Sequence, residues 1–268
     1  MTIYRGVGGV NRTVKQQFRG VSGVNREIKE QHRGVDGINR NVFSSNVDLI
    51  QIPYPSDLLF YLPMNDDSVI PKERINNEAI TMVGTANIES GINGTQSKSR
   101  YLPKDTYFSY AKPYIPTTGA FSVRAFVRFS TSSSGTGGRI IYSTRYDDNL
   151  RYGFILSVTK NNEIFFALDY AYNSQIFPET TVAKNIVDNA WHEIIFSWDG
   201  TLNSGGVKLW VDGSLISSPK ATSMYSVQHH NNGCTGNKML NGASVYSTFN
   251  GYIAELAIFN TVKIPSSF

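Results

Sequence analysis

The 268-residue chain has a single cysteine, Cys234, which excludes an intrachain disulfide, so the core has to hold the fold and a reducing compartment is no obstacle to assembly. No apolar run approaches the length of a membrane span, so no membrane partner is expected. The opening "MTIYRGVGGV" lacks the basic-then-apolar layout of a secretory signal. No stretch holds a sustained helical period, and no strand-like stretch sets carboxylates at alternating positions. Net charge is scarce outside the N-terminus. Residues 1–46 contain eight Lys/Arg and three Asp/Glu, a balance of +5, while the remainder holds 17 and 18, a balance of −1. A near-neutral main body argues against a nucleic-acid partner.

What is present begins with a threefold repeat. "RGVGGVNRTVKQQF" starts at Arg5, "RGVSGVNREIKEQH" at Arg19 and "RGVDGINRNVFSSN" at Arg33, a period of 14. Each copy sets Gly-Gly, Ser-Gly or Asp-Gly between aliphatics (Val7/Val10, Val21/Val24, Val35/Ile38), the chemistry of a two-residue hairpin loop. Gly23 and Gly37 would then need positive φ, and Arg19 would lie opposite Arg26. The same aliphatics also fit a heptad grid, but seven glycines at about 1 kcal/mol each oppose a coiled coil. One copy cannot bury its own apolar face. Arg5, Arg19, Arg33, Val7, Val21 and Val35 are therefore the expected assembly residues, in a homo-oligomer or against an acidic partner; a solvated basic tail is the alternative.

The phrase "GVGGVNRTVK" resembles short repeats of structural proteins of phages and phage-derived particles of Gram-positive bacteria. That resemblance implies a virion or phage-tail-like particle component, assembled in the bacterial cytoplasm beside other particle proteins.

Residues 47–57 read as a linker, within the proline-bearing "SSNVDLIQIPYPSD" (44–57). From Leu58 onward, apolar–polar alternation recurs in "FSVRAFVRFS" (121–130), "YGFILSV" (152–158), "EIFFALDYAY" (163–172), "HEIIFSW" (192–198), "VKLWVDG" (207–213) and "YIAELAIF" (252–259). Turn pairs Asn161-Asn162, Asp199-Gly200 and Asp212-Gly213 separate them, which predicts an all-β sandwich over residues 58–268. "AWHEIIFSWDG", "GGVKLWVDGSLISS" and "FNGYIAELAIFN", with "LLFYLPMNDDS" and "GTANIESGINGTQS" before them, resemble the laminin-G / concanavalin A-like jelly roll. The resemblance implies two antiparallel sheets, one of them concave. Sugar binding is frequent in that family, calcium occurs in some members, and others hydrolyse glycans.

The loop "YSTRYDDNLRY" (142–152) is the densest cluster of ligand-type side chains. Tyr142, Tyr146 and Tyr152 would stack on a host cell-surface polysaccharide, and Arg145 would donate to it. Arg124, Arg128, Trp210 and Tyr170 are expected on non-core faces, whereas Trp191 and Trp198 are expected to be core or loop anchors. The same aromatics could instead pack beneath loops or in a subunit interface. Glu163 and Asp169 share a face only on an unbroken strand, and Glu255 stands alone, so no catalytic pair is expected. Calcium, if bound, would take Asp66 and Asp67 or Asp147 and Asp148, although adjacent aspartates are more often turn formers. "HHNNGCTG" (229–236) lacks zinc spacing, and no cofactor is expected. The reading is a particle protein displaying a glycan-binding sandwich; its rival is a purely structural decoration or baseplate subunit without sugar binding.

Overall fold

The structure is a computed structural model that describes residues 17–21, 24–28, 55–92, 94–130, 138–145, 153–171, 174–223, 233–236 and 249–265. The chain divides into two units, Met1–Tyr54 and Pro55–Phe268. The second unit therefore starts at Pro55, inside the expected linker. Asp57 is tied to its far end, with Asn260 N donating to Asp57 O at 2.9 Å and Lys263 Nζ 2.7 Å from the carboxylate.

In the first unit, β1 (Gln17–Val21) and β2 (Val24–Ile28) pair antiparallel, with Val21 opposite Val24 and Arg19 opposite Arg26. The described part of the second copy, residues 19–21 and 24–28, is thus strand, not coiled coil. Its Gly23, and Arg5, Val7, Arg33, Val35 and Gly37 of the other copies, lie outside the described residues.

The second unit contains, in chain order, β3 (Leu58–Leu62), β4 (Ile80–Val83), β5 (Asn87–Gly91), β6 (Gly94–Leu102), β7 (Tyr107–Tyr110), β8 (Phe121–Phe129), β9 (Arg139–Ser143), β10 (Gly153–Val158), β11 (Ile164–Ala171), β12 (Ser174–Val182), β13 (His192–Trp198), β14 (Val207–Val211), β15 (Ser214–Ser217), β16 (Cys234–Thr235) and β17 (Gly251–Phe259). One sheet runs β12-β11-β10-β9-β16-β7-β4. The other runs β15-β14-β13-β8-β17-β6-β5, with β3 also on β17. Every pairing is antiparallel, and the two sheets form the jelly-roll sandwich. Turn chemistry sets the connections. Asp212 and Gly213 both have positive φ (50° and 76°), the two-residue loop whose twist matches the flanking strands of the β14–β15 hairpin.

Alternation decides which side chains meet between the sheets. Phe121, Val123, Ala125, Val127 and Phe129 of β8 point inward together. Phe121, Phe154, Phe166, Phe177 and Phe196 form a ring cluster, with Phe154–Phe196 centroids 4.9 Å apart and Phe121–Phe154 5.2 Å apart edge to face. Each such burial is worth roughly 1.5–3 kcal/mol, and the ring geometry adds about 1 kcal/mol per pair.

A charge also lies on the core side. Arg100 of β6 is opposite Ile253 of β17 and is fully buried. Its guanidinium donates to the carbonyls of Met64 (2.8 Å), Asp66 (3.0 Å), Ser68 and Val69 (3.1 Å), and pairs with the Asp66 carboxylate at 2.5 Å. It thereby fixes the β3–β4 connection against β6. The Asp66–Asp67 pair is occupied in the same way: Asp66 by Arg100 and the amide of Lys72, Asp67 by Lys98.

Two outcomes are expected. Arg100→Met should lower the unfolding free energy by about 3–5 kcal/mol, because several carbonyls and a carboxylate lose their donor; urea melts showing a loss below about 1 kcal/mol would contradict this role. A chain shortened to begin at Pro55 should give a β-type circular dichroism spectrum and a cooperative melt. Aggregation without a melt would show that the repeats belong to its core.

Candidate functional site

The described start of the expected sugar loop, residues 142–145, is built differently from its reading. In β9 the register against β10 shifts between Leu156 and Ser157, whose partners are Tyr142 and Ile140, so Ile141 is an extra residue. A bulge of this kind moves later side chains to the other face. Ile141 and Tyr142 both enter the core, and Tyr142 is fully buried. Its ring lies 6.1 Å from that of Tyr110, and its hydroxyl donates to Pro113 O. Burial pushes its pKa well up. Tyr142 is therefore not a stacking face. Arg145 is also buried, paired with Asp169 of β11 and, at 3.3 Å, Glu179 of β12, so its expected role as a sugar donor is corrected to a structural one. Gly153 closes this loop: its φ is +105°, and a Cβ there would meet Thr144 O at 2.5 Å. Tyr146, Tyr152, Asp147 and Asp148 lie outside the described residues, as do His229 and His230. Among the described residues no three metal-ligating side chains converge.

The other three expected residues share one surface, the outer face of the eight-stranded sheet. Cross-strand registers place Trp210, Ile195, Arg124, Ala257 and Tyr61 in one row. Trp210 is only 7 % exposed and offers little ring face, so its reading as a stacking residue is corrected. Tyr170, expected on a non-core face, packs against the core. Arg124 is half-buried between two carboxylates, with Nε 2.7 Å from Glu193 Oε1 and Nη1 3.4 Å from Glu255 Oε2.

Glu255 reaches that face through a second bulge. In β17 the register against β8 shifts between Ala254 and Leu256, and Glu255 takes φ 53°, a conformation costing about 1–2 kcal/mol for a residue with a Cβ. Strict alternation would aim this carboxylate inward; the extra residue lets Ile253, Leu256 and Ile258 fill the core. Burial raises the Glu255 pKa, Arg124 opposes that, and Glu193 adds to it.

Four residues from Arg124 along β8, on the same face, lies Arg128. Its guanidinium carbon sits 3.9 Å from the Tyr252 ring centroid and 5.3 Å from that of Trp191. Tyr101 of β6 continues the row, its ring 4.9 Å from Tyr252 and its hydroxyl donating to Asn250 at 2.6 Å. All four are partly exposed. Sequence reasoning assigned Trp191 to anchoring and missed Tyr252 and Tyr101. Parity was the available signal, since Trp191 aligns with Glu193 and Ile195, and Tyr252 sits one residue before core Ile253.

The edge of this platform is held by a charged clamp. His192 Nδ1 is 2.7 Å from Asp212 Oδ2 in the β14–β15 turn, and Nε2 is 2.9 Å from Asp188 Oδ1 in the turn before β13. Burial alone would lower the His192 pKa, but the hydrogen bonds to Asp212 and Asp188 outweigh it and raise the pKa above 6.5. Trp191 and Glu193 flank this residue, so the clamp sets their backbone.

Away from this face, a concavity of about 590 Å³ is lined by Leu59, Asn76, Lys112, Tyr114, Pro116 and Asn260. Three of its polar side chains are engaged internally. Tyr114 donates to Glu78 at 2.5 Å, Lys112 pairs with the same carboxylate, and Asn76 donates to Leu59 O. The outer face is the better candidate.

A His192→Gln variant gives a test with a defined sign. The folded pKa of His192 is raised, so its stabilisation is complete below about pH 6.5 and is lost as pH rises through the folded value. Asp188, lowered chiefly by His192, loses its contribution as pH falls below about 4. The melting-temperature gap between wild type and variant should therefore be widest near pH 5–6 and shrink toward pH 9. A gap constant across that range would refute the clamp.

The family model of the concanavalin A-like lectin/glucanases superfamily matches residues 102–266. No curated protein matches the chain. Among solved structures, the fold is similar to that of botulinum neurotoxin type C in a study of its cell entry through two ganglioside molecules, at 13% identity and TM-score 0.58, over 79% of this chain and 49% of that one. It is similar to the binding domain of botulinum neurotoxin DC in complex with rat synaptotagmin II, at 13% identity and TM-score 0.59, over 79% and 50%. It is also similar to domain 4 of AbnA, an extracellular arabinanase from Geobacillus stearothermophilus in complex with arabinotriose, at 16% identity and TM-score 0.56, over 78% and 95%. This chain spans about half the length of those neurotoxin chains. Such low identities speak to the fold. With two antiparallel sheets in jelly-roll order and a family match over most of its length, the chain belongs to the concanavalin A-like lectin/glucanases superfamily.

Proposed function

We propose that this chain is a structural protein of a phage or phage-tail-like particle, assembled in the bacterial cytoplasm, whose sandwich binds host cell-surface glycan without catalysis. The repeats of residues 1–46 anchor it to other particle proteins or to further copies of itself. The observation that carries the glycan reading is the outer face of the eight-stranded sheet. There the row Tyr101–Tyr252–Arg128–Trp191 lies beside the Arg124–Glu193–Glu255 ion-pair chain. Aromatic rings and forked donors on one rigid sheet are what a sugar ring needs: an apolar face to cover and hydroxyls to satisfy.

The superfamily supports this reading, as do the arabinotriose of the arabinanase domain and the gangliosides of the neurotoxin. The absence of catalysis is supported by the engagement of the carboxylates. Glu193 and Glu255 are both bridged by Arg124, and Asp169 is buried against Arg145, so none is presented as an acid opposite a free base. No step in binding calls for a cofactor.

A shallow sheet face encloses little ligand, so affinity per site should be on the order of 1 mM, and display in many copies would supply firm attachment. The full chain, coupled to beads in many copies, should be retained on host cell walls. A Tyr252→Ala, Trp191→Ala double variant with an unchanged melting temperature should lose at least about ten-fold in retention, the equivalent of 1.4 kcal/mol. Equal retention of both proteins would remove this face as the site. Retention of neither would support the purely structural decoration or baseplate reading.

A further inference from the structure

Two arginines four residues apart on one strand, facing the same way, are treated oppositely. Arg124 is neutralised by two carboxylates, Glu193 at 2.7 Å and Glu255 at 3.4 Å. Arg128 has no ion pair among the described residues, and its buried Nε has no hydrogen-bond partner. Its guanidinium instead lies on the Tyr252 ring, with Trp191 as a second aromatic neighbour. The Nε atoms of Arg139 and Arg145 are also unmet, but those guanidinium groups are satisfied through their Nη atoms, whereas among the described residues Arg128 has no hydrogen-bond partner there either.

Stacking fixes the plane of the guanidinium, and the aromatic walls strip water from its faces. Its Nη groups, not buried as Nε is, remain the direction in which an incoming group can satisfy it. A planar fork of that kind matches the two oxygens of a carboxylate or phosphate, and less rotamer entropy is lost when they bind because the side chain is already held. Neighbouring charges do not compete for it: Glu193 and Glu255 are committed to Arg124, and Asp188 and Asp212 to His192.

We propose that Arg128 is an anion-reading residue, and that the glycan bound on this face is acidic, carrying a carboxylate or a phosphodiester that the Arg128 fork grips while the exposed parts of Tyr252 and Trp191 contact the adjoining sugar. This rests on the reading of the outer face as a glycan site and names the class of glycan it takes.

The test uses the full chain coupled to beads and three polymers: poly(glycerol phosphate), polygalacturonate and, as the neutral control, linear arabinan. The anionic polymers should bind at least about ten-fold more tightly than arabinan, the scale of one or two charge-assisted hydrogen bonds. The stronger of the two identifies phosphate or carboxylate as the anion. Arg128→Met should abolish the preference. Arg128→Lys, which keeps the charge and loses the fork, should weaken it several-fold, and it decides the matter if the methionine variant fails to fold. Lys160→Gln, an equal charge change on an exposed residue of the β10–β11 turn, should leave it intact. Binding of arabinan as tight as that of the anionic polymers would overturn this inference while sparing the glycan reading. So would an unchanged preference in Arg128→Lys, or an equal loss in Lys160→Gln. Failure of all three polymers to bind the wild-type chain, with host cell walls also failing, would overturn both.

Discussion

The two-residue period of β8 is the constraint on which core and surface both depend. Successive side chains of a strand leave opposite faces, so nine residues deliver two sets of side chains at once. Phe121, Val123, Ala125, Val127 and Phe129 fill the centre of the sandwich, while Arg124, Phe126 and Arg128 are delivered to the opposite face. Because β8 lies between β13 and β17, each outward residue gains two cross-strand neighbours: Glu193 and Glu255 close on Arg124, and Trp191 and Tyr252 on Arg128. A slip of one residue would place two guanidinium groups in the core, so the hydrophobic demand of the interior also fixes the surface register.

Four arginines show how this fold handles positive charge. Arg100 is wholly buried and meets four loop carbonyls and a carboxylate, an oxygen cage of the kind more often built around a metal ion. Arg145 is buried against Asp169 and fastens the end of β9 to β11. Arg124 is shared between two glutamates on neighbouring strands. Each of these repays desolvation with specific partners. Arg128 has aromatic rings in their place. That contrast, more than any motif, singles out its end of the sheet.

Tyr142 and Glu255 show how a bulge defeats a reading by alternation. Alternation through "RIIYS" would separate Ile141 from Tyr142, yet both are core because β9 gains a residue against β10. In "YIAELAIF" the three-residue step from Ile253 to Leu256 breaks the period at Glu255, a trace of the β17 bulge that is visible in sequence once a carboxylate is refused in the core. Tyr142 and Arg145, the two expected ligand residues of the 142–152 segment that are described, go inward for reasons that composition does not carry: it reports which groups are near in sequence, not which face they take.

Composition, turn pairs and alternation were enough to determine an all-β sandwich and the outward placement of Arg124 and Arg128, and they favoured the pairing of Arg19 with Arg26 over a coiled coil, because each depends on neighbours along one strand or across one short turn. The partners of those arginines were decided by tertiary structure alone. Glu255 lies 131 residues from Arg124 in sequence, and Asp66 lies 34 from Arg100. Strand order across the sheet brings such groups together, and local periodicity holds no information about strand order. Whether a tyrosine or an arginine becomes core, clamp or platform is settled only when distant strands, with their bulges, are laid side by side.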